Sequence, residues 1–109
     1  MKVELLYFDG CPNYQPLVAQ IVELLAERGI EDEVQLRRVE SSEDAERERF
    51  LGSPTVRVDG FDVEAGAEER TDFGLKCRIY PTPEGLSGMP PRPWIEAAIG
   101  PAGAASPRE

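Results

Sequence analysis

The sequence predicts a single α/β domain in which strands and helices run β-α-β-α-β-β, followed by an irregular insertion and a last helix. Three observations predict it. The short, nearly all-apolar run Val3–Phe8 stands just before a segment of helical periodicity that ends at a glycine. A second strand-like and helix-like pair follows. Asp59-Gly60 then lies between two β-type stretches, as the centre of a two-residue hairpin does. A chain of 109 residues is enough for one core, and 40% hydrophobic with 30% charged residues is the balance of a globular chain.

Val3-Glu4-Leu5-Leu6-Tyr7-Phe8 suits a strand covered on both faces and bounded by Asp9-Gly10. The first helix begins within Cys11-Pro12-Asn13-Tyr14-Gln15-Pro16, where Pro12 or Pro16 fits a first turn that needs no N–H. Leu17, Ile21, Leu24 and Leu25 share one face of it, with Gln20, Glu23 and Glu27 opposite, and Gly29 stops it after Arg28. Val34–Val39 reads as a second, half-exposed strand. Ser41 or Ser42 caps a short helix over Glu43–Phe50, anchored by Ala45, Phe50 and Leu51. Ser53–Val58 is the third strand and Phe61–Val63 returns antiparallel to it. The loop-rich insertion spans 66–92: its first part is acidic, Leu75–Tyr80 is a short extended segment, and Pro81–Pro93 is an ordered but irregular loop. Trp94–Ile99 forms the last helix, with Pro93 at its start. The domain thus covers 1–99, and 100–109 reads as a flexible tail with little to bury.

Twelve basic against twenty-one acidic residues give a net charge of −9. So acidic a chain repels phosphate backbones and anionic lipid, which argues against nucleic-acid and membrane partners. The absence of histidine removes Cys–His and Ser–His–Asp catalysis and nearly every common zinc site. Two cysteines can form one disulfide or hold one soft metal ion between them; no cofactor and no resident metal are expected. Val3–Phe8 is too short for the apolar core of a signal peptide and no cleavage site follows, so the expected location is cytoplasmic. There two cysteines more often mean chemistry than a structural staple.

The element order, with Cys11-Pro12-Asn13-Tyr14 between first strand and first helix and Ser53-Pro54-Thr55-Val56 before the third strand, resembles the thioredoxin fold, a βαβαββα sandwich, here with an irregular insertion before the last helix. More closely, Tyr7-Phe8-Asp9-Gly10-Cys11-Pro12-Asn13, Gly52-Ser53-Pro54-Thr55, Gly74-Leu75-Lys76-Cys77-Arg78-Ile79-Tyr80 and Thr82-Pro83-Glu84-Gly85-Leu86 resemble a small bacterial thioredoxin-like group with a monothiol motif. Some of its members carry selenocysteine at the Cys11 position, and some are labelled alkylmercury lyase. The resemblance implies thiol or selenol redox chemistry without naming a substrate; the expected partner is a protein or small-molecule thiol or disulfide.

Cys11 is then the expected catalytic nucleophile. A helix N-terminus offers unpaired N–H groups and a dipole that favour a thiolate, while Asp9 acts in the opposite sense. The bland alternative is an inert buried cysteine. Tyr14 replaces the resolving cysteine of Cys-x-x-Cys proteins, so Cys11 acts alone or with Cys77, which is otherwise a small packing residue. The resemblance implies a cis Ser53–Pro54 bond and a substrate platform made by Ser53, Pro54 and Thr55. Pro12 and Tyr14 are assigned to the rim, and Arg78 either grips an anionic group or stays solvated in a salt bridge. Binding of mercury or copper by the Cys11/Cys77 pair, and a non-catalytic interaction domain, are the competing functions.

Overall fold

The computed structural model describes residues 1–100. Strand β1 (Val3–Tyr7) runs up the middle of the sheet, parallel to β2 (Val34–Arg38), with Val3 opposite Val34, and antiparallel to β3 (Thr55–Val58), with Val3 opposite Val58. Strand β4 (Phe61–Asp62) returns antiparallel to β3 through the Asp59-Gly60 turn. The order across this mixed sheet is β2-β1-β3-β4. The central position of β1 explains its apolar composition, because both of its faces are covered.

Three helices flank the sheet. On one face, Leu17, Ile21, Leu24 and Leu25 of α1 (Tyr14–Glu27) pack with Val3, Leu5, Val56 and Val58, and with Ile95 and Ile99 of α3 (Arg92–Ile99). Each fully buried aliphatic side chain contributes about 1.5–3 kcal/mol by leaving water. On the other face, Ala45 of α2 (Ser42–Arg47) and Phe50 pack on Leu6 and Val39. Ser41 caps α2, its hydroxyl accepting from the Asp44 N–H at 3.0 Å. Glu4, on this same face of β1, is buried and paired with Arg37 at 2.9 Å.

Several boundaries differ from the sequence reading. Helix α2 stops at Arg47 because Arg49 turns to φ 55°, which swings Phe50 into the small core. Helix α3 starts at Arg92, two residues early, with Pro93 in its first turn where no N–H is needed. The stretch expected to be irregular contains a hairpin, β5 (Tyr80–Thr82) with β6 (Gly85–Ser87), closed by Pro83-Glu84. Of the extended segment expected at Leu75–Tyr80, Cys77 forms an isolated parallel bridge with Ser53. The expected tail, from 101 onward, lies outside the described residues. Among the described residues no helix is long and apolar enough to cross a membrane.

Candidate functional site

Cys11 sits in the turn that links β1 to α1. Its N–H donates to the Phe8 carbonyl at 3.2 Å, closing that turn, and the helix starts at Tyr14 with Asn13 as its cap residue. The sulfur is not where the sequence reading expects it. Cys11 is only 3% exposed, and its Sγ donates to the Ser53 carbonyl, 3.4 Å away and 42 residues further along the chain. No backbone amide among the described residues donates to the sulfur. A carbonyl oxygen accepts only from S–H, so the arrangement is that of a thiol seated on a carbonyl, not of an anion steadied by amides.

Ser53 lies in the loop that leads into β3, and the Ser53–Pro54 peptide bond is cis. Gly52 before it has φ +127°, and a Cβ there would stand 3.0 Å from both the Lys76 carbonyl and the Arg78 Cβ. Only glycine lets the two segments come this close. The Ser53 N–H donates to the Lys76 carbonyl at 2.8 Å, and the Arg78 N–H donates to the Ser53 carbonyl at 2.9 Å. Both lone pairs of the Ser53 carbonyl are therefore engaged, one by Arg78 N–H and one by the Cys11 thiol. Cys77, between those two partners, is the bridge residue opposite Ser53. It is exposed, which removes the packing role considered for it. Ser53 is thus touched by the Cys11 sulfur at its carbonyl and by the Cys77 backbone through the bridge.

Arg78 differs most from its sequence reading. It is 2% exposed, neither solvated nor open to a substrate. Its guanidinium forks onto Asp62 at 2.8 and 3.0 Å, reaches Glu64 at 2.7 Å and Thr55 Oγ1 at 3.0 Å, and lies 4.4 Å from the centre of the Tyr80 ring. Burial works against its charge, but the hydrogen bonds it donates to Asp62 and Glu64, with the surrounding negative charge, raise its pKa above the usual arginine value. The Tyr80 hydroxyl donates to the Pro54 carbonyl, and burial, partly countered by Arg78, pushes its pKa well up. Thr55 Oγ1 donates in turn to the Gly52 carbonyl at 2.6 Å. Lys76, Arg78 and Tyr80 therefore hold Gly52–Thr55 from one side.

Of the other expected site residues, Ser53, Pro54 and Thr55 are buried, Pro12 is exposed, and Tyr14 is half-buried, stacked on Tyr7 with ring centres 4.1 Å apart. The Ser53 Oγ is buried and has no hydrogen-bond partner. Gly88, past the second hairpin, abuts Asn13: a Cβ there would fall 2.4 Å from its Nδ2. The sequence reading did not single out Asp62 or Glu64, and gave Tyr80 no role. A signal existed for Tyr80, since strict alternation over Cys77-Arg78-Ile79-Tyr80 puts Arg78 and Tyr80 on one face; those two are buried, while Cys77 and Ile79 are exposed. No group of three or more metal-ligating side chains forms among the described residues.

The fold and site define a mixed α/β domain with two free cysteines, one with its thiol on the carbonyl of buried Ser53 and the other with its backbone bridged to the same residue. In comparisons with family models, curated proteins and solved structures, nothing matches the chain.

Proposed function

We propose that the chain is a thiol-dependent oxidoreductase on a thioredoxin-like scaffold, acting on a disulfide or peroxide-type substrate through Cys11, with Cys77 as its resolving thiol. The observation that carries the reading is that Ser53 joins the two cysteine-bearing segments: the Cys11 sulfur lies on its carbonyl and the Cys77 backbone is bridged to it. The sheet order β2-β1-β3-β4, with α1 and α3 on one face and α2 on the other, supports the scaffold.

In this reading Cys11 leaves the Ser53 carbonyl, loses its proton and attacks one sulfur of a substrate disulfide. A mixed disulfide forms and one substrate thiolate departs. Cys77, as thiolate, attacks the Cys11 sulfur and expels the second substrate thiolate, leaving a Cys11–Cys77 disulfide. The substrate gains two electrons and the protein loses two. An external dithiol returns them. With a peroxide the first step gives a sulfenic acid on Cys11 and an alcohol or water; Cys77 then condenses with it and releases water. Cys11 is shielded as it stands, so the Asp9–Asn13 turn must open, on the side where Pro12 is already exposed.

The test is turnover of a model disulfide and of an alkyl peroxide with a dithiol as reductant. Cys11→Ser is expected to abolish both activities. Cys77→Ser should trap Cys11 as a mixed disulfide with substrate and slow turnover at least tenfold. Full activity of Cys11→Ser defeats the reading. One mercury(II) or copper(I) bound per chain, lost with either cysteine and accompanied by no turnover, assigns the pair to soft-metal binding instead.

A further inference from the structure

We propose that β2 is the interface of a symmetric homodimer, in which two copies join edge to edge through antiparallel β2 strands centred on Gln35. Strand β2 is one edge of the sheet, and its partner β1 covers only one side of it. The Val39 N–H donates to the Tyr7 carbonyl at 2.8 Å. Parallel ladders alternate, so the N–H and C=O groups of Val34, Leu36 and Arg38 face away from β1. The edge carries no proline and no bulge, so its outward backbone groups are free to pair, and its charged residues decide with what. The opposite edge, β4, is two residues long and too short to template pairing.

The sequence of the edge chooses its occupant. Asp32-Glu33-Val34-Gln35-Leu36-Arg37-Arg38 is acidic at one end, basic at the other and apolar on either side of a central glutamine. Turned antiparallel about Gln35, it meets itself with Asp32 opposite Arg38, Glu33 opposite Arg37 and Val34 opposite Leu36. In this register the outward backbone groups of Val34 and Leu36 face each other, as a hydrogen-bonded pair needs. Moving the twofold to Leu36 also matches the backbone but sets Val34 against Arg38 and leaves both acidic residues without a basic partner. A second copy of this chain is therefore the occupant whose charges fit.

Apolar surface lies beside the edge. Val22 is 53% and Leu36 50% exposed, and with Val18, Ile30 and Val34 they line a cleft of about 420 Å³ between α1 and β2. Asp32 and Arg38 are themselves exposed, and among the described residues each holds one ion pair: Asp32 with the Met1 amino group at 3.4 Å and Arg38 with Asp9 at 2.8 Å. Arg37 is held by Glu4 and Glu48 on the α2 face, so Asp32 and Arg38 are the pair to vary.

Sedimentation equilibrium of the full chain tests this. The wild type is expected at twice the chain mass, dissociating on dilution. Asp32→Lys and Arg38→Glu each place like charges opposite one another at both ends of the interface, and each should weaken self-association at least about tenfold, or 1.4 kcal/mol. An equimolar mixture of the two variants restores the opposite charges and should dimerise again. A wild type that stays at the chain mass at millimolar concentration overturns the proposal, as does self-association unchanged in both variants or a mixture that fails to recover it. The far-ultraviolet circular dichroism of each variant confirms that loss of dimer is not loss of fold.

Discussion

The two sides of β3 are held by opposite physics. Toward α1 and α3, Val56 and Val58 sit among Leu17, Ile21, Leu24, Ile95 and Ile99, in a wholly aliphatic cluster. The loop that enters the same strand, Gly52–Thr55, is held by hydrogen bonds and buried charge from Lys76, Arg78 and Tyr80. The aliphatic side is tolerant, because dispersion and water exclusion have little directionality. The polar side is not, because its hydrogen bonds are directional and removing one partner orphans a buried charge at high cost. The cysteines sit on the second side. The group that positions the Ser53 carbonyl is thus a directional network, which fixes geometry, and the aliphatic side supplies the bulk of the stability.

The largest expected effect comes from breaking the polar side at its centre. Arg78→Ala leaves Asp62 and Glu64 facing each other in a largely buried site and should cost about 3–5 kcal/mol in denaturant unfolding. It should also loosen Cys11, read as faster alkylation of that thiol. Leu17→Ala, on the aliphatic side, should cost about 2–5 kcal/mol while leaving the alkylation rate of Cys11 in the folded state within a factor of two. If the two variants change Cys11 access equally, the division between the sides is wrong.

Tyr80→Phe sharpens the contrast further. Loss of the hydroxyl's bond to the Pro54 carbonyl should cost about 1 kcal/mol at neutral pH. Burial raises the Tyr80 pKa in the folded state above its ordinary value near 10.0. Its neutral form therefore adds stability that is complete below pH 10 and is lost as the pH rises further, when the unfolded chain ionises and the folded one does not. The wild type should lose more stability than Tyr80→Phe between pH 9.5 and 11, measured by urea unfolding at each pH. The smallest effect belongs to Asp72, an exposed carboxylate held below the usual range by hydrogen bonds from Arg70 and then Lys76. Its contribution is present above the unfolded pKa and fades as the pH falls below about 4. Asp72→Asn should cost no more than about 0.5 kcal/mol at pH 7, and less in high salt.

The same division decides what could be read from the sequence. The period of Leu17, Ile21, Leu24 and Leu25, the apolar run of β1 and the Asp59-Gly60 turn each point to the element that forms, since an aliphatic face announces itself by spacing alone. The cis Ser53–Pro54 bond was legible through the resemblance. The surroundings of the sulfur were not: burial against a carbonyl depends on where Gly52 lets residues 76–78 approach, and no local pattern encodes that. Arg78 looks like a surface residue because a buried arginine is recognisable only with its partners, and Asp62 and Glu64 lie 16 and 14 residues away. The β5–β6 hairpin was hidden by Pro81 within a strand, although Thr82-Pro83-Glu84-Gly85 is a fair turn sequence, with proline at its second position.

The proposed pairing of Cys11 with Cys77 is tested most directly by oxidation of the full chain with a thiol-specific oxidant, followed by intact-mass measurement and peptide mapping. The account predicts a monomer lighter by two hydrogens, with Cys11 and Cys77 in one cross-linked peptide pair, and no such species in Cys11→Ser or Cys77→Ser. Two thiols that are modified separately, with no bond between them under any oxidant that leaves the fold intact, would contradict it.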